Sequence, residues 1–146
     1  LSTTVNEANR GVAPQAETPK SITVAREYAD AYDRVADFLA AHPDLAERAS
    51  FDGRDRFLIY AGLKGDPKDA ILDFARVCRE AGVDVSEWTS ARFGGAQAHF
   101  GPVTVQCFAD ASEVCERVVV GVVEDVKTAL TFDLDGTPRK QAEVAA

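Results

Sequence analysis

The sequence predicts an α+β domain: an antiparallel sheet of four or five strands with two longer helices packed on one face. Three observations predict it. Two segments, roughly Ile22–Ala41 and Pro67–Ala81, repeat apolar residues at helical spacing. The stretch Phe93–Gly121, FGGAQAHFGPVTVQCFADASEVCERVVVG, alternates apolar and polar residues on both sides of Gly101-Pro102, as a hairpin does. Short apolar runs at Arg56–Ala61 and Val118–Val120 read as further strands.

A chain of 146 residues is long enough for one domain with a real core. The expected organisation is a disordered N-terminal tail over 1–20, a single domain over 21–132 and a C-terminal tail over 133–146, with a turn at Asp135-Gly136. Twenty-four acidic against sixteen basic residues give a net charge of −8. A basic footprint for nucleic acid phosphates or anionic membranes is missing. No run approaches a transmembrane helix, and the polar start is no signal peptide. The opening Leu1 points to a processed end or a rare start codon. Three cysteines in apolar-patterned segments read as reduced, buried thiols of a cytoplasmic protein.

Along the first helix, Val24, Tyr28, Ala31, Tyr32, Val35 and Leu39 make one stripe. Glu27, Asp30, Asp33 and Asp37 lie opposite, moderated by Arg26 and Arg34. Such a face is most simply solvated, but it is also a candidate contact surface. Pro43 stops the helix near His42, whose ring can meet the terminal carbonyls. Asp44–Ala49 adds a further turn, and Asp52-Gly53 marks the next one. GLKGDPKD lacks the spacing of a phosphate loop, so Asp66 is read as the N-cap of the second helix with Pro67 at its first position. Its buried stripe is Ile71, Phe74, Val77, Cys78 and Ala81, and Gly82 ends it. Val83–Phe93 supplies a strand carrying Trp88, either a core residue or a binding anchor. Gly94-Gly95 is expected to turn the chain into Ala96.

In the hairpin, Phe100 should face Val103, Ala98 Val105 and Ala96 Cys107, with His99–Thr104 and Gln97–Gln106 on the solvated side. Phe108 should end the strand. Asp110 and Glu113 have capping-box spacing for a short helix to about Arg117. Val122–Phe132 fits either a strand or a helical turn.

VCERVVVG after the FGG segment and its capped turn, with FLAAHPDL at Phe38–Leu45, resembles a family of small actinobacterial phage and mobile-element proteins. The likeness runs over roughly Tyr28–Val123, and VCERVVVG is its specific part. The chain departs from the pattern after Gly121, where the longer Pro-rich part is missing. The resemblance implies a context, that of a phage or mobile-element accessory protein in the host cytoplasm. It carries no activity and no functional residue across.

His99, Cys107 and Cys115 are the one cluster of metal-ligand types, but the hairpin register puts His99 and Cys107 on opposite faces. A Cys–His nucleophilic pair fails on the same geometry. No catalytic motif, metal site or cofactor is therefore expected. The leading expectation is a non-catalytic protein that binds a host or phage protein through Glu27, Asp30, Asp33 and Asp37, Trp88 or the polar hairpin edge. The competing classes are an acidic nucleic-acid mimic that inhibits a DNA-binding enzyme, a small enzyme, and a homo-oligomer joined through a sheet edge.

Overall fold

The computed structural model describes residues 20–53, 55–63, 65–119 and 126–139. The expected N-terminal tail before Lys20, the Val120–Asp125 connection and the last seven residues lie outside them. The chain is α+β. Helix α1 spans Lys20–Ala41, and the one-turn α2 spans Pro43–Ala46. Strands β1 (Ala49–Phe51) and β2 (Arg56–Tyr60) follow, then a 3-10 turn at Ala61–Leu63 and helix α3 (Pro67–Glu80). Next come β3 (Asp84–Thr89), β4 (Phe93–Phe100), β5 (Val103–Asp110) and the one-turn α4 (Ala111–Val114). Strands β6 (Cys115–Val119) and β7 (Val126–Leu130) close the chain as a separate hairpin. Of the Val122–Phe132 segment, the described part resolves in favour of a strand over Val126–Leu130.

The main sheet has the order β1-β2-β5-β4-β3. All neighbours are antiparallel except β2 and β5, which run parallel. The β4–β5 register is the one the alternation predicts, from Phe100↔Val103 to Ala96↔Cys107. It also continues past Phe108 to Asp110. Gly94 and Gly95 lie inside β4, not in a turn, and Ser90–Arg92 makes the connection instead, with the Phe93 carbonyl accepting from Ser90 N–H. Glycine is needed there because the sheet leaves no room. A Cβ on Gly94 would collide with Cys115 Sγ and come within 3.1 Å of Leu130 Cδ2 where the β6–β7 hairpin packs.

The core collects alternate strand residues and one stripe of each long helix. Ile59, Val103, Val105, Cys107, Ala96, Ala98 and Phe100 are buried from the sheet. Ala31, Val35 and Phe38 come from α1, and Ile71, Phe74, Ala75, Val77 and Cys78 from α3. Phe38 holds the centre, 5.4 Å from the Phe100 ring and 6.5 Å from that of Phe74. Two stripe assignments shift. Val24 and Ala81 are exposed, because α1 begins a full two turns before the sheet covers it and α3 ends at Glu80.

Helix ends follow local chemistry. The Asp66 carboxylate accepts from Lys68 N–H at 3.0 Å, with Pro67 leading the helix. At the other end Gly82 N–H reaches the Arg79 carbonyl and Val83 N–H that of Cys78, with Gly82 at φ +73°. This is the Schellman arrangement, which glycine enters without strain. Asp110 precedes α4 but makes no side-chain cap, since its carboxylate accepts from Tyr60 Oη at 3.2 Å instead. Beyond β7 the described residues stay packed as far as Arg139: Phe132 and Leu134 are buried, and Arg139 pairs with Asp133 and with Glu87 of β3.

Candidate functional site

The side chains of a strand alternate, so the sheet's second face is fixed once the core face is known. Reading across β2, β5, β4 and β3, the register aligns three rows on that face. The first is Tyr60, Phe108, Gly95 and Trp88. The second is Leu58, Gln106, Gln97 and Ser86, and the third is Arg56, Thr104, His99 and Asp84. Apolar character is concentrated at one end and polarity at the other.

Phe108 is the hub of the aromatic end. Its ring centroid lies 5.2 Å from Phe93, 5.7 Å from Tyr60 and 6.0 Å from Trp88, each edge-on. Such geometry sets the positive ring edge against the negative ring face and is worth about 0.5–1.5 kcal/mol per pair beyond area burial. Gly95 stands between Trp88 and Phe108 in the row, and its missing side chain lets the two rings meet over bare backbone. All four rings are partly buried, with a minority of their surface exposed. Among the described residues the ring contacts between α1 and the sheet are made to the core face, to Phe51, Phe57 and Phe100.

Polar groups frame the rings. Tyr60 donates to Asp110, and the Arg92 guanidinium lies 5.7 Å from the Phe93 ring centre. Loss of water around the Tyr60 ring, then the hydrogen bond and charge of Asp110, raise its phenol above the usual tyrosine value. In the second row Gln106 donates to Gln97 at 3.3 Å. Gln106 is only 4 % exposed, so this part of the predicted solvated hairpin face is shielded by its neighbours. His99 Nε2 lies 3.1 Å from Ser86 Oγ.

The predicted contact residues fall in two places. Glu27, Asp30, Asp33 and Asp37 are all exposed on α1, whereas Trp88 belongs to the aromatic row on the far face of the sheet. They do not form one site. Sequence reasoning did not find Tyr60, Phe93 and Phe108 as members of it. Their alternation was visible, but the parallel β2–β5 pairing joins distant segments and leaves no local trace of register.

Chemical capability elsewhere is low. His99 and Cys107 sit on opposite faces. Burial pushes the Cys78 and Cys107 thiols up to about 12, away from thiolate chemistry. Burial, then the Glu87 carboxylate, raises Cys115 as well. Among the described residues no three His, Cys, Asp or Glu side chains converge as a metal site. A hollow of about 510 Å³ between α3 and Leu134–Asp135 is lined by charges already engaged: Arg76 with Asp73 and Glu80, Arg79 with the Leu134 carbonyl. No described helix is long and apolar enough to cross a membrane. No family model, curated protein or solved structure matches the chain.

Proposed function

We propose that this chain is a non-catalytic protein-binding domain that docks a partner protein on the aromatic end of its sheet. The observation that carries the reading is the partly exposed cluster of Tyr60, Trp88 and Phe93 around Phe108. Interfaces draw most of their energy from a few aromatic and arginine anchors held rigidly and ringed by polar groups. Here the rings brace one another, so little rotamer freedom is lost on docking. Asp110 and Glu113 at the rim, on a chain of net charge −8, favour a partner whose apolar knob is flanked by basic residues. The resemblance at VCERVVVG supports a phage or mobile-element setting, with a host or phage protein as that partner.

The test is a tagged pull-down from host lysate with and without nuclease, comparing wild type with Trp88→Ala/Phe93→Ala. A protein recovered by wild type in both lysates, and lost by a variant that still melts cooperatively, supports the reading. Retention by that variant with loss on reversing Asp30, Asp33 and Asp37 to Lys moves the site to the acidic face of α1. Release by duplex DNA favours the nucleic-acid mimic.

One observation favours a second reading, a small enzyme. Ser86 and His99 have the approach of a hydroxyl nucleophile and its base, and His99 pairs across the strands with Asp84. Among the described residues no carboxylate hydrogen-bonds His99 to orient it, which weakens the case. Covalent labelling by a fluorophosphonate probe, lost in Ser86→Ala, would establish it.

A further inference from the structure

Helix α1 carries two apolar stripes. Ala31, Val35 and Phe38 are buried in the core. Ile22, Ala25, Ala29, Tyr32, Ala36 and Leu39 form the second, at the alternating three- and four-residue spacing of a heptad seam. Its helical members Ile22, Ala25, Ala29 and Ala36 are exposed, Ile22 by 46 %. Tyr32 shows which way the seam faces. Its ring lies 6.0 Å from Phe51 and 6.5 Å from Phe57, at the β1 side of the sheet. Phe51 is itself 49 % exposed, and β1 is an edge strand. One flank of the domain therefore combines an apolar helix face, an exposed phenylalanine and a strand edge.

We propose that a second copy of this chain covers that flank, with the two α1 helices packed antiparallel across a two-fold axis. The seam is self-complementary in that sense. Ile22 comes opposite the second copy's Leu39, Ala25 opposite its Ala36, and Ala29 opposite its Tyr32. Large residues meet large or small ones without a clash, and the alanines let the backbones approach closely. The charges agree. Arg26 and Asp33 border the seam on its solvent side, both exposed and neither in an ion pair among the described residues. Antiparallel packing sets Arg26 beside the second copy's Asp33, and symmetry does so twice. Parallel packing would set Arg26 and Asp33 opposite uncharged Ser21, Tyr28 and Val35 of the second copy and lose both attractions. The same axis brings the two β1 edges and both Phe51 rings toward each other. A foreign helix would need the same spacing and the reversed charges, and the chain already supplies both.

Sedimentation of the full chain across the micromolar range tests this, with Ala29→Asp, Arg26→Asp and Arg26→Asp/Asp33→Arg. Wild type is expected to approach the dimer mass. Ala29→Asp should sediment as a monomer with an unchanged far-ultraviolet spectrum, since Ala29 is exposed within the protomer. Arg26→Asp replaces two attractions with two repulsions and should weaken association about tenfold, and the double exchange should restore it. A wild type that stays monomeric throughout overturns the proposal. So does a dimer whose dissociation is unmoved by Ala29→Asp, including one lost only when Trp88 is removed.

Discussion

Replacing Gly95 with alanine tests the architecture of the aromatic face directly. Gly95 does not take a positive φ, so the cost arises from contact rather than from left-handed strain. A Cβ there would lie 2.7 Å from Phe108 Cα and closer still to the Cys107 carbonyl oxygen. Relaxed carbon contacts begin near 3.5 Å, so β4 and β5 must part by roughly 1 Å. That stretches the flanking ladder bonds beyond useful length. Two such bonds at about 1 kcal/mol each and overpacking of about 1–3 kcal/mol sum to about 3–5 kcal/mol. The stiffer unfolded chain returns about 0.4–1 kcal/mol, leaving a net loss of about 2–4 kcal/mol. With a urea dependence of about 2 kcal/mol per molar, the midpoint should fall by about 1–2 M. The assay is urea unfolding followed by tryptophan-selective fluorescence, which reports on Trp88 because the chain has one tryptophan. The native emission should also shift, since Trp88 is the cross-strand partner of Gly95 and its ring packs on Phe108. Gly53→Ala is the control: φ is +86° with nothing within 4 Å, so it should cost about 1–2 kcal/mol of left-handed strain and leave native emission alone. A midpoint change under about 0.3 M for Gly95→Ala, with unmoved emission, would refute the close approach of β4 and β5.

The remaining predictions concern the core, a cap and the thiols. Phe38→Ala should cost about 3–5 kcal/mol by urea unfolding, as the ring fills the space between Phe74, Phe100 and His42. Asp66→Ala removes the cap on Lys68 N–H and should cost about 1 kcal/mol, while Asp66→Asn should cost far less. Thiol reagent added to the native protein should modify Cys115 first, and Cys78 and Cys107 only on the time scale of unfolding. The buried thiols also fix the sign of the alkaline response. Both are protonated in folded and unfolded chains at neutral pH, so their contribution is fully present there. Above about 8.5 the unfolded thiols ionise while the folded ones resist to about 12, so stability should fall over that window. A melting temperature that rises between pH 8.5 and 10 would contradict this, and Cys78→Ala should flatten the slope.

What the sequence disclosed depended on range. Asp66-Pro67 and Gly82 define α3 through groups a few residues apart, and both ends appear as read. The β4–β5 register follows from alternation around one turn, because a slip would exchange the buried and polar sets. Gly94-Gly95 misled because glycine pairs signal turns locally, whereas here crowding from Cys115, Leu130 and the Cys107 carbonyl excludes side chains from a strand. Asp110 shows the same limit: its capping spacing with Glu113 is intact, but Tyr60, fifty residues away, takes the carboxylate. The candidate site was half legible for this reason. Trp88 stood out as a single residue, while its neighbours arrive from β2, β4 and β5 by pairings that no local pattern records.

The two proposed surfaces bear on each other. Among the described residues the ring contacts of α1 with the sheet are to its core face and the β1 side, so a dimer built on α1 leaves Tyr60, Trp88, Phe93 and Phe108 untouched. A two-fold about the β1 edge would carry both aromatic clusters on the same side of the pair. Such a dimer holds two docking sites at fixed separation, and a partner that is itself paired or surface-bound would be gripped twice. Intramolecular engagement of the second site commonly strengthens binding by about a hundredfold or more without a new contact. Ala29→Asp should then weaken capture of an immobilised partner by that order, yet leave the affinity for the same partner free in solution unchanged. Trp88→Ala should weaken both. Equal loss in the two formats for Ala29→Asp would mean that α1 itself touches the partner, and the division of labour between helix and sheet would fail.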